Sequence, residues 1–167
     1  MPTATDSAPG RMPWNRNDGL GFWLSVLGPL ALVLIGNALI FAAGWNVGDP
    51  RQQAAITPPG WFVGLMWVII YPMWGAARWY VWQTGLAGQR RSRWIAALIG
   101  WGLAYPIVTG LGGVGVAAIA NVISLALVLI AAWQARGVTK RAFWLIAPSV
   151  LWIAFATMLG FAILAAA

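Results

Sequence analysis

The chain has 167 residues, of which 61% are hydrophobic and only 8% charged, whereas a water-soluble domain carries about 25% charged residues. A net charge of +7 would raise nucleic acid as a partner in a soluble protein, but here the cations cluster between long apolar runs, so they report membrane topology and nucleic acid is excluded. Cysteine and histidine are both absent, which removes disulfides, thiolate metal sites and the usual nucleophiles and bases.

Residues 1–18, MPTATDSAPGRMPWNRND, are polar and contain prolines, and read as a flexible cytoplasmic tail. Five apolar stretches follow, at about 20–43, 61–82, 94–110, 114–134 and 142–164. About 20 such residues cross a hydrocarbon core about 30 Å thick. Lipid offers no partner to backbone amides, so the stretches are predicted to be helices, and their unbroken apolar character is unlike the alternation of a barrel. The fold class is therefore all-α, a polytopic membrane protein built as a five-transmembrane-helix bundle, with 19–167 a single domain. The first stretch is too long for the apolar region of a signal peptide and reads as a retained span, although Ala42, Ala43 and Gly44 resemble a cleavage site.

The connections carry the charge. Arg11 and Arg16 precede the first span, Arg90, Arg91 and Arg93 follow the second, and Arg136, Lys140 and Arg141 follow the fourth, while Arg51 stands alone in the first connection. The positive-inside rule then puts the N-terminus in the cytoplasm and the C-terminus outside, as expected of an integral protein of a bacterial inner membrane. The lipid bilayer is the first partner, and the basic clusters can attract anionic headgroups. The third connection, Gly110 to Gly115, contains four glycines and is predicted to be a very tight loop. Small residues at helical spacing, Gly21, Ser25, Gly28 and Gly36 in the first span and Ala117, Asn121, Ser124 and Ala131 in the fourth, fit close packing within the bundle or a homodimer seam.

Thirteen tryptophans dominate the composition. Trp14, Trp94, Trp133 and Trp144 sit near span ends, where indoles anchor at headgroup depth. In the second span, Trp67, Tyr71, Trp74, Arg78 and Trp82 recur at intervals of four, three, four and four, within about 80° of helix arc. Such a stripe serves either as aromatic packing between helices or as the wall of a binding cavity. Arg78 inside a span faces the bundle or snorkels to the surface. Beside aromatic faces it would receive the acidic group of a flat ligand, with cation–π contact to Trp74 or Trp82. The last span repeats the theme with Trp144, Pro148, Trp152, Phe155 and Leu159 on one face, and the third places Trp101 and Tyr105 next to Pro106. Prolines free backbone carbonyls that are tolerated where they line a cavity, so an apolar pocket walled by aromatics is the predicted product.

The run Pro58-Pro59-Gly60-Trp61, then Trp67, Tyr71, Gly75 and Val81-Trp82, resembles the hallmark of the TspO/MBR family of tryptophan-rich sensory and translocator proteins, and Pro148 with Trp152, Ala156 and Leu159 is similar to that family's last-span motif. The resemblance implies a five-helix bundle, commonly a homodimer, with a pocket for porphyrins or haem-like tetrapyrroles lined by Trp61, Trp67 and Tyr71 and by Trp152, Ala156 and Leu159. It has no counterpart for Arg78. The third-span motif is largely replaced, the last-span tyrosine is Ser149 and its asparagine is Gly160, which implies a divergent branch with its own ligand selectivity.

The expected function is that of a membrane-embedded binding protein or sensor for a hydrophobic small-molecule ligand of porphyrin type, linked to tetrapyrrole regulation or transport. No cofactor is required and no conventional enzyme activity is expected, since the only acids are Asp6, Asp18 and Asp49, all outside the spans; the resemblance leaves light-dependent porphyrin degradation open, with the pigment doing the chemistry. A structural subunit of a larger membrane assembly is the alternative.

Overall fold

Apolar segments that must close their own backbone hydrogen bonds become helices, and the described residues contain helices and no strand. The computed structural model describes residues 19–42 and 57–166. The expected tail at 1–18 and Arg51 lie outside this set. Helix α1 spans Gly19–Ala42, α2 Gly60–Trp82, α3 Leu86–Arg136 and α4 Lys140–Ala166. All four are long and apolar enough to cross a membrane.

The expected count of five helices is not met; four are found among the described residues. The predicted third and fourth spans are joined without a loop, because helical structure runs through the glycine cluster and only Gly113, at φ 72° and ψ −171°, departs from it. That backbone region is open essentially to glycine alone. A straight helix of 51 residues would be roughly 75 Å long, far more than a bilayer is thick. Instead α3 doubles back: Tyr105 bonds Asn121 at 2.7 Å and Trp101 bonds Ser124 at 2.8 Å, although residues 16 apart on a straight helix are separated by about 24 Å. One residue does the work expected of a loop.

The core forms around α2, which packs against α1, α3 and α4. Ile70, Tyr71, Trp74, Ala77 and Val81 are buried there against Ile95, Leu98, Val128, Ala131, Ile146 and Ile153. Helices α1 and α2 approach closely at Gly75, where any side chain would collide with the Ser25 carbonyl; small residues permit such backbone contact in lipid. Of the small-residue stripe on α1, Gly28 and Gly36 meet nothing within 4 Å of an added Cβ. Each helix also carries an internal proline: Pro29, Pro72, Pro106 and Pro148.

Because α3 folds back, the α2–α3 turn and the α3–α4 turn share one end of the bundle. The Arg91 guanidinium lies against Gly137 of the second turn, and ring contacts of Phe22 with Trp79 and Tyr80 bring the start of α1 to the same end. All the cations between residues 57 and 166 (Arg78, Arg90, Arg91, Arg93, Arg136, Lys140 and Arg141) therefore belong to that half of the molecule.

Candidate functional site

Inside a membrane each polar side chain needs a partner from a neighbouring helix or from its own backbone, and these bonds fix the aromatic rings. The Trp74 indole N–H donates to the Ser149 hydroxyl at 2.9 Å, and that hydroxyl donates in turn to the Ile146 carbonyl at 2.6 Å. Trp101 donates to Ser124 and Tyr105 to the Asn121 amide oxygen; the Asn121 amide nitrogen reaches the Ala156 carbonyl at 3.2 Å. Thr157 bonds the Asn121 carbonyl at 3.3 Å and the Ile153 carbonyl at 2.7 Å. A chain of hydrogen bonds thus ties both arms of α3 to α4.

The α2 stripe is a ring cluster. Trp67, Tyr71 and Trp74 contact one another with centroids 5.3 to 6.2 Å apart in tilted or edge geometries, the arrangement favoured by ring quadrupoles. Tyr71 and Trp74 are each 1% exposed and Trp67 is half-buried, so the stripe faces the bundle. The Tyr71 hydroxyl sits against Gly102 of α3, close enough that a side chain there would displace it. A second cluster lies toward the other end, where Trp152 meets Phe62 and Phe155, each at 5.9 Å. The Trp152 indole nitrogen is buried with no hydrogen-bond partner.

Arg78 places its guanidinium 5.5 Å from the Trp82 ring centroid. It stacks on Trp82 and not on Trp74. Its Nε is buried and has no partner.

The predicted residues are therefore only partly brought together. Trp67, Tyr71 and Trp74 form one cluster and Trp152 and Phe155 another, with Ser149 linking α4 to the first. Trp101, Tyr105 and the Ala156 carbonyl belong to the α3–α4 hydrogen-bond network. Trp61 is 71% exposed and makes ring contact with Phe62, and Leu159 is half-buried on α4. Two outward-facing apolar grooves, of about 550 and 530 Å³, lie along α3 and α4 and are lined by other residues. Sequence reasoning missed Ser149, Ser124 and Asn121 as the groups that hold the rings. The signal was present, since a hydroxyl or amide within an apolar span demands a partner.

Four long apolar helices whose polar side chains turn inward to bond one another define a polytopic α-helical integral membrane protein with an aromatic interior. The TspO/MBR family model matches residues 25–166, nearly the whole chain, and the protein belongs to the TspO/MBR family. No curated protein matches the chain.

Proposed function

We propose that the protein is a membrane-embedded binding protein and sensor for porphyrin-like, flat hydrophobic ligands. The observation that carries this reading is the Trp152 indole N–H, buried between Phe62 and Phe155 without an acceptor. Buried polar groups are nearly always satisfied, and a ligand carbonyl or carboxylate would satisfy this one. The half-buried rings of Trp67, Trp152 and Phe155 offer apolar faces for stacking, and Tyr71 and Trp74, fully enclosed, pack against Trp67. Arg78, already stacked on Trp82, supplies a cation for an acidic ligand at a second position, since about 24 Å of α2 separates it from Phe62 beside Trp152. Family membership supports a ligand-binding or sensory role in the same direction.

A sensor is favoured over a proton-coupled carrier because no carboxylate lies between residues 57 and 166, and intramembrane proton relays are built from such groups. The basic end of the bundle faces the cytoplasm of a bacterial inner membrane in this reading, and two copies pair in the bilayer, a point that cross-linking in membranes tests.

Titration of the purified protein with protoporphyrin, followed by tryptophan fluorescence, is the direct test. Saturable quenching is expected, weakened about tenfold in Trp152→Phe, which keeps the ring but removes a donor worth about 1.5 kcal/mol to a charged acceptor. Quenching that never saturates in the wild type would overturn the proposal and leave a structural subunit of a larger assembly as the better account.

A further inference from the structure

At the corner where α3 ends and α4 begins, a groove of about 530 Å³ opens on the outer face, lined by Leu129, Trp133, Arg136, Trp144, Pro148 and Leu151 among others. Its walls are apolar except for one cation, Arg136. Trp133 and Trp144 are 71% and 68% exposed and Leu151 is 76% exposed, so the groove faces the membrane and not the core. Indoles placed this way settle at headgroup depth, which sets Arg136 at the level of lipid phosphates and Leu151 at the level of acyl chains.

The electrostatics name the occupant. Arg91, Lys140 and Arg141 join Arg136 at this corner, Arg91 being held there by its contact with Gly137. Among the described residues there is no aspartate or glutamate, so this group of cations finds no carboxylate there, and its counter-ion must come from elsewhere. Basic pockets between transmembrane helices collect lipid headgroups in this way. A soluble anion would satisfy the charge but leave the apolar walls uncovered; a zwitterionic lipid would cover the walls but bring its own ammonium to the cluster.

We infer that the α3–α4 groove is a selective site for one anionic phospholipid, its phosphate on Arg136 and an acyl chain lying along Trp133, Trp144, Pro148 and Leu151. The site is separate from the ring clusters and stands whether or not these bind a porphyrin.

Native mass spectrometry of delipidated protein, offered phosphatidylglycerol or phosphatidylcholine with identical acyl chains, tests it. The expected result is a one-to-one complex retained about tenfold better with phosphatidylglycerol, as a charge-assisted contact of about 1.5 kcal/mol predicts. Arg136→Gln should bring the two lipids level while leaving protoporphyrin quenching unchanged. Leu151→Trp, which fills the groove, should weaken both lipids. Equal retention in the wild type, an unaltered preference in Arg136→Gln, or displacement of the lipid by inorganic phosphate would overturn the inference. So would efficient oxidative dimerisation of Leu151→Cys in phosphatidylglycerol vesicles, since a second copy would then cover this face; the natural chain has no cysteine to confuse that readout.

Discussion

Ser149 stands where the family pattern has tyrosine, and its small hydroxyl leaves room for the Trp74 ring and accepts its N–H. Ser149→Ala would strand a fully buried indole donor and is expected to cost about 1–2 kcal/mol in detergent unfolding experiments, near the upper end of polar contacts measured within membranes. Trp74→Phe together with Ser149→Ala, which removes both partners, should recover part of that loss; an additive double variant would mean the bond contributes nothing. Arg78 makes a sharper prediction. Protoporphyrin and its dimethyl ester present the same ring but differ in free carboxylates, so Arg78→Gln should weaken binding of the acid about tenfold and leave the ester unaffected. An equal effect on both ligands would confine Arg78 to packing against Trp82.

Among the elements, α3 depends on a single dihedral. Placing a side chain at Gly113 forces it into a region where strain is of order 1–3 kcal/mol, so Gly113→Ala should lower thermal stability by that amount and loosen the Tyr105–Asn121 and Trp101–Ser124 contacts. Gly115→Ala, whose added Cβ meets nothing within 4 Å, is the matched control and should be close to neutral. At the α1–α2 crossing, Gly75→Ala meets the Ser25 backbone, and overpacking of about 1–3 kcal/mol should appear as faster proteolysis of α1 than of the rest. These elements were unequally legible in the chain. Helices α1, α2 and α4 follow from apolar length, and the stripe of Trp67, Tyr71 and Trp74 follows from spacing, because both are local. The glycine cluster at 110–115 signalled a reversal but not its form, since a loop and a helix broken at one residue use the same glycines. The partners of the rings were illegible: Trp74 and Ser149 are 75 positions apart, and only packing of α2 on α4 pairs them. Arg78 was legible as an expensive charge, but its spacing did not separate Trp82 from Trp74, since both stand four residues away.

Over the whole molecule, charge and fold agree. The doubling back of α3 brings two distant basic turns to one end, and the opposite end, at the Gly113 turn and the close of α4, has no charged residue between 107 and 120 or between 142 and 166. Single cysteines introduced at Gln89 and at Thr139, which stand at the outer ends of the two arms of α3, should therefore label from the same side of sealed vesicles with a membrane-impermeant reagent; labelling from opposite sides would contradict the hairpin. The reversal also has a bearing on detection. Leu111, Gly112 and Gly113 are exposed in the bundle, but their surroundings are hydrocarbon-like, and no polar loop lifts them clear of the lipid. Neither a protease nor an antibody added on that side of the membrane would find a handle anywhere between residues 107 and 120.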